Sequence, residues 1–194
     1  MSRMPSNRHL AGPAQRRANR GYNLIETITV MTLVAILAAI AVPSYRYVTS
    51  ANRIASEGNG LLGDLQFARA EAIKEGQPVT VCMSKGGVTC DTTGAAWQSG
   101  WIVYSNPTGT GSNTTIPAAG SILRIQSTFT STDTFLATPA FSAITYNREG
   151  FAAVANGSLV TLKTVPEVTS YTRCLSIGLV GLTAIQPYDG VTCL

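Results

Sequence analysis

From Tyr22 to Val42 the chain reads YNLIETITVMTLVAILAAIAV, twenty-one residues whose sole charge is Glu26. As a helix rising ~1.5 Å per residue the run is roughly 31 Å long, enough to cross a hydrocarbon core of ~30 Å. A buried helix of that length is unusual in a soluble chain of 194 residues, so the run predicts a membrane span. Five of the fourteen basic residues (Arg3, Arg8, Arg16, Arg17 and Arg20) precede it, with no acid among them. Those arginines should stay cytoplasmic and send the C-terminus outward. The competing reading is a secretory signal peptide cut after Ala39-Ile40-Ala41, a small-x-small pattern. A long basic leader, a carboxylate inside the run and a helical pattern continuing past Pro43 argue against it.

Composition narrows the function classes. Apolar residues make up 45% of the chain, which excludes global disorder, and the charged fraction of 12% is about half that of an average soluble domain. The net charge of +4 is local: beyond position 21, nine basic residues face ten acidic ones, so no global field attracts nucleic acid. His9, the only histidine, lies in the basic leader. Downstream, Ser-His-Asp and Cys-His catalysis and His-ligated zinc are excluded.

Glu26 is the most informative residue of the apolar run. A carboxylate at the centre of a membrane helix costs about 2.5–3.5 kcal/mol, and less near an interface. Either Glu26 sits close to the headgroups and is tolerated, or it has a cationic partner inside the bilayer. Gly21, an aromatic, three further residues ending in Glu26, then an apolar helix: together these resemble the type IV prepilin processing signal. The resemblance implies that a membrane peptidase cuts between Gly21 and Tyr22 and methylates the new N-terminus of Tyr22. Glu26 then becomes the fifth mature residue, and Pro43 falls where many pilins carry a helix-loosening proline. Tyr22 stands where phenylalanine is usual. Such a cut creates an ammonium group, which a neighbouring subunit's Glu26 can pair with in a low-dielectric setting where an unpaired charge is expensive.

Beyond Pro43 the helical pattern runs on to about Lys74. Val48, Ala51, Ile54/Ala55, Gly58, Leu61/Leu62, Leu65, Ala68 and Ala72 recur every three or four residues as one apolar stripe, expected to dock the globular domain. Gly58, Gly60 and Gly63 each cost roughly 1 kcal/mol against alanine, which predicts a bend or close packing on a sheet. Gly76 and Pro78 supply the stop. Strand-like runs follow at Val79–Met83, Trp101–Tyr104, Ile122–Gln126, Ala143–Tyr146, Phe151–Ala155, Ser158–Thr164, Thr172–Ile177 and Leu182–Gln186. Asn156-Gly157 signals a two-residue hairpin, and Gly178–Gly181 can close another. Ser105–Ser121 reads as a loop by composition.

Four cysteines beyond an outward-facing membrane helix imply oxidising conditions and allow three pairings. Cys82–Cys90 with Cys174–Cys193 gives two short, non-crossing loops and is the favoured pairing. A metal site built on Cys82 and Cys90 is the alternative, but no third or fourth ligand is suggested, so no metal and no cofactor are expected.

The stretch LQFARAEAIKEGQPVTVCMS, a cysteine-bearing loop and WQSGWIVYSN extend the resemblance. This is similar to the pseudopilin H of type II secretion and the FimT/FimU minor pilins, with matches at Arg69, Ala72, Ile73, Val79, Cys82, Trp97, Gly100 and Trp101. Asn147-Arg148-Glu149-Gly150-Phe151 looks like the family's turn before its later hairpin. The resemblance implies an α+β, pilin-like fold: a long N-terminal transmembrane helix packed on an antiparallel β-sheet domain. It divides the chain into a cleaved cytoplasmic leader (1–21), a transmembrane helix (22–42), its amphipathic continuation (43–75) and a periplasmic β-rich domain (76–194). The implied function is structural and not enzymatic: a minor pilin or pseudopilin of the inner membrane that also enters a filament and helps initiate or link its assembly. Its implied partners are the prepilin peptidase, other minor and major pilins or pseudopilins, the inner-membrane assembly platform and membrane lipid.

Two other functions have sequence features to compare with these. Some FimT-like members take up DNA through a Gly-Arg-x-Arg element near the last hairpin. Here that place holds Gly181-Leu182-Thr183-Ala184, both arginines gone, and Lys163 with Arg173 would form only a small patch. A secreted enzyme would need a site built without histidine. Asp64, Glu71, Glu75, Glu149, Glu167 and Asp189 supply carboxylates, but no motif pairs them.

Overall fold

The computed structural model describes residues 21–107, 121–154, 157–190 and Cys193. The basic leader up to Arg20, most of the expected loop after Ser105, and Asn156 lie outside the described residues. The chain divides into two units, one ending at Ser44 and one running from Tyr45 to Leu194.

One long helix, α1 (Leu24–Glu75), supplies elements to both. Asn23 caps its start: its side-chain Oδ1 accepts from the Ile25 N–H, and its carbonyl accepts the first helical bond, from the Thr27 N–H at 3.1 Å. At the other end the Gly76 N–H still bonds the Ala72 carbonyl, and Gly76 turns left-handed (φ +68°), which stops the helix cheaply only because it is glycine. In the first unit every described residue is exposed.

In the second unit α1 buries Ile54, Gly58, Leu61, Leu65, Ala68 and Ala72. That is the expected stripe, begun one and a half turns later: Val48 is exposed and Ala51 only half-buried. Each fully buried leucine is worth about 1.5–3 kcal/mol, so Leu61 and Leu65 anchor the docking. Of the three helical glycines, only Gly58 faces a close neighbour. A Cβ there would sit 2.6 Å from Leu162 Cδ2, whereas Gly60 and Gly63 face open space.

The stripe packs on two antiparallel sheets that share one core. The first has the order β3 (Ile122–Gln126), β2 (Trp101–Ser105), β1 (Val79–Met83), β5 (Ala143–Tyr146), β6 (Ala152–Ala153). The second runs β4 (Thr134–Thr138), β7 (Ser158–Lys163), β8 (Arg173–Ile177), β9 (Thr183–Pro187). Val81, Trp101, Val103 and Ile144 from the first sheet meet Phe135, Val160, Leu162 and Leu175 from the second around the helix residues.

β1 and most of β2 are buried on both faces. Alternation explains how. Val79, Val81 and Met83 join the helix core, while Cys82, Ile102, Tyr104 and Ala143 form a second small cluster under the loop that carries Cys90. Cys82 and Cys90 are joined by a disulfide, Cα atoms 5.6 Å apart, which pins that loop over the sheet. A second disulfide joins Cys174 of β8 to Cys193, and Tyr188 bridges Cys193, so Cys193 is held beside the second sheet.

Two expectations need correction. The strands on either side of Asn156-Gly157 do not form the expected hairpin with each other: β6 pairs with β5, whereas β7 pairs with β4 and β8. The reason lies in β6: the Ala152 N–H bonds the Leu179 carbonyl in the β8–β9 turn, and the alternate buried positions of β7 commit it to the other sheet. The second correction is β4, a strand where none was expected. Phe135 and Ala137 point inward, and the strand's open edge is held by the 95–98 segment. There the Ala137 N–H bonds the Ala95 carbonyl at 3.0 Å and the Phe135 N–H bonds Gln98 Oε1 at 3.0 Å. Gly178–Gly181 does close the β8–β9 hairpin, with Gly178 N–H to Leu182 carbonyl at 2.8 Å.

Candidate assembly surface

Leu24–Glu75 is long and apolar enough in its N-terminal part to cross a membrane, and none of that part is buried inside the protein. Its polar side chains are turned back on the helix. Thr29 Oγ1 donates to the Glu26 carbonyl and Thr32 Oγ1 to the Ile28 carbonyl, each at 2.8 Å, and Thr27 Oγ1 to the Asn23 carbonyl at 3.3 Å. Hydroxyls satisfied in this way cost little in an apolar medium. Pro43 lies inside the helix, where its missing N–H removes one rung of the ladder.

Glu26 lies in the first turn, where the helix dipole favours a negative charge. Its carboxylate has no ion pair among the described residues. Tyr22, two residues ahead of α1, is 86% exposed, and Gly21 is exposed beside it. This part of α1 is thus an apolar rod carrying one carboxylate, and each of its described residues is exposed.

In the second unit the residues singled out from the sequence hold the fold together. Trp97 Nε1 donates to the Phe141 carbonyl at 3.2 Å, and Trp101 Nε1 to Asp64 Oδ2 at 2.8 Å. Asp64 also accepts from Arg124 Nη1 at 2.9 Å, and that guanidinium lies over the Phe67 ring, 3.7 Å from its centre. Gly100 is locked: a Cβ there would lie 2.5 Å from the Gln126 carbonyl oxygen. Arg69 reaches from α1 to two turns, with Nε to the Gly150 carbonyl at 3.1 Å and Nη2 to the Val180 carbonyl at 3.2 Å.

Four further carboxylates are also occupied locally. Glu71 pairs with Lys74, Glu149 with Arg148 and Glu167 with Lys163, while Glu75 accepts from Gln77. The bond to Lys74 holds Glu71 below the ordinary carboxylate range, and the bond to Arg148 does the same for Glu149. Lys163 is therefore already neutralised, and Arg173 Nη1 is committed to the Ser170 and Thr172 carbonyls, each at 2.9 Å. The described residues hold no group of three or more His, Cys, Asp or Glu side chains placed to bind a metal ion.

One cluster was not foreseen. Arg53 meets Asp133 through two hydrogen bonds, Asp133 Oδ1 also accepts from the Val165 N–H at 3.2 Å, and Glu57 accepts from Ser131 Oγ at 2.9 Å. Glu57 Oε2 is buried without a hydrogen-bond partner among the described residues, and this burial raises its pKa above the ordinary carboxylate range. Arg53 and Glu57, spaced i,i+4 on α1, were the available signal, but the segment they bind, around Asp133, offered no pattern to pair with them.

A crystal structure of the type IV minor pilin FimU from Pseudomonas aeruginosa superposes with a TM-score of 0.53, at 22% identity, covering 73% of this chain and 92% of that one. A second crystal form of the same protein gives a TM-score of 0.48 at 19% identity, covering 72% and 91%. No curated protein sequence matches the chain significantly. The long helix packed on antiparallel sheets is thus the FimU-like pilin fold. The family model described as type II transport protein GspH matches residues 57–181, the stretch that contains the helix stripe from Gly58 to Ala72, the Cys82 strand, both tryptophans and Arg69. The chain therefore belongs to the GspH family.

Proposed function

We propose that this protein is a minor pilin-like subunit of an envelope-spanning filament, either a type II secretion pseudopilus or a type IV pilus. GspH family membership and the FimU-like fold support the pilin-like structural role. The observation that carries the filament reading is the apolar half of α1, whose described residues are all exposed and whose one carboxylate, Glu26, has no ion pair among the described residues. Such a rod is stable in a membrane or among its own kind, and a filament offers both in turn.

In this reading a prepilin peptidase cuts between Gly21 and Tyr22 and methylates the Tyr22 amine. The new ammonium group pairs with Glu26 of a neighbouring subunit, which fixes the axial stagger as a subunit leaves the inner membrane for the filament. Pro43 loosens the helix between the apolar and docked halves. The β-rich domain lies in the periplasm and contacts other pilins or pseudopilins, and the assembly platform acts on the membrane-resident form.

N-terminal sequencing of the mature protein tests the processing step: a methylated tyrosine start is expected, and a start near Val42 would refute it. Glu26→Ala tests the assembly step. The variant should stay in the membrane fraction but be depleted from sheared filaments, and equal recovery with wild type would overturn the pairing.

A further inference from the structure

Three residues past the apolar run, the chain places Tyr45, Arg46 and Tyr47 in succession on α1. Tyr45 is 71% exposed and Tyr47 53% exposed, and every described residue up to Thr49 is exposed. The first buried position of the helix is Ile54. None of the described residues of the folded domain therefore buries this turn.

We propose that Tyr45, Arg46 and Tyr47 form a lipid-headgroup site, a collar that fixes the depth of the membrane-resident chain at the outer face of its bilayer. The inference rests on the membrane-anchored reading given above. Three observations carry it.

The first is angular. Successive helical residues turn by about 100°, so the two tyrosines project on nearly opposite sides with the arginine between them. A protein neighbour seated on one side would be met by residues three or four apart. Three consecutive amphipathic side chains suit a medium that surrounds the helix.

The second is chemical. Tyrosine combines an apolar ring with a polar tip and concentrates at membrane–water interfaces. A guanidinium presents paired donors that match phosphate oxygens. Arg46 forms no ion pair among the described residues, so its charge is available to a lipid phosphate.

The third is positional. The collar follows directly on a segment of membrane-spanning length, and Thr49 Oγ1 is turned back to the Tyr45 and Arg46 carbonyls at 3.0 Å each. The backbone of this turn is thereby satisfied, leaving the side chains of Tyr45, Arg46 and Tyr47 as its outward polar groups.

The test uses the full chain in vesicles of phosphatidylethanolamine and phosphatidylglycerol brominated either near the headgroup end or deep in the acyl chains. Tyr45→Trp and Tyr47→Trp are read separately by fluorescence quenching. The wild type serves as the blank, because Trp97 and Trp101 lie in the core of the second unit. Both variants should be quenched, and more by the shallow bromine than by the deep one. On the Tyr47→Trp background, Arg46→Glu should lower the shallow quenching by about twofold or more, and Arg46→Lys should not. Quenching of only one position, of neither, or equally at both depths overturns the collar. Resistance to alkaline carbonate extraction is measured on the same vesicles. A chain extracted by carbonate would sink the membrane reading together with the collar, whereas an integral chain with unquenched tryptophans sinks the collar alone.

Discussion

The guanidinium of Arg53 grips the carboxylate of Asp133 through two parallel hydrogen bonds of 2.7 Å, Nε to Oδ2 and Nη2 to Oδ1, across 80 residues of sequence. The Asp133 side chain is fully buried while that of Arg53 is 38% exposed. The acid carries most of the desolvation, so the pair holds only while both ends are present. Asp133→Ala should destabilise the protein by about 3 kcal/mol, the low end of the range for breaking a buried pair because Arg53 can turn to water. Chemical denaturation of the chain in detergent micelles measures this. A loss no larger than that of a surface mutation would show that the pair does not tie the helix to the 131–133 segment.

Beside that pair, Glu57 keeps one carboxylate oxygen buried without a hydrogen-bond partner among the described residues, and burial raises its pKa. A raised acid binds its proton more tightly when folded than when unfolded, so its contribution to stability falls as pH rises past the ordinary carboxylate value. Glu57→Gln keeps the acceptor for Ser131 and removes the charge. The variant should melt higher than wild type at neutral pH, and the gain should shrink as the pH falls through the carboxylate range. A gain that persisted unchanged in acid would contradict the assignment.

The helical glycines separate by surroundings. Gly60 and Gly63 face open space, so alanine at either should add about 0.5–1 kcal/mol of helix stability. At Gly58 the same change sets a methyl against fully buried Leu162. Gly58→Ala should show none of that gain, and Gly58→Val should cost about 1–3 kcal/mol through overpacking. Thermal melts of the three alanine variants side by side decide it, and an equal gain at all three would mean that the helix does not approach β7 as described.

Arg69 joins α1 to the turns at Gly150 and Val180, and those turns touch each other: a Cβ on Gly181 would collide with the Gly150 carbonyl oxygen. Arg69→Ala should cost about 2 kcal/mol by leaving charge-assisted bonds unmade. Gly181→Ala should cost more, since its left-handed backbone (φ +77°) adds strain to the collision. Faster amide exchange at residues 150–152 and 179–181 in both variants would locate the loss. Protection unchanged from wild type would place it elsewhere.

Much of the fold was legible from spacing. The period of three to four from Ile54 to Ala72 marked the docked face, and the change of period after Pro78 marked the strands, because burial imposes those repeats directly. The Gly178–Gly181 turn was readable because its flanking runs pair with each other. The hairpin expected from Asn156-Gly157 misled because that dipeptide is only a local signal, whereas the partners of β6 and β7 are set by the core, which sends them to different sheets. The β4 strand escaped notice since Phe135 and Ala137 are its only inward residues, set after a run of serine and threonine. The Arg53–Asp133 pair could not be read at all: nothing local in either segment names a partner 80 residues away. The carboxylate of the apolar run, by contrast, stood out because a charge in such a setting is costly wherever it falls.

Apart from Glu26, the rod from Leu24 to Val42 has apolar flanks exposed all round and no preferred side. Any companion of similar greasiness can lie along it from any direction, so beyond the axial register that Glu26 sets it supplies adhesion without discrimination. The choice of which companion, and in which order, must then be made by the folded head, whose surface alone differs from one angle to the next. Swapping heads between related chains on a common rod should accordingly transfer the place in the assembly with the head.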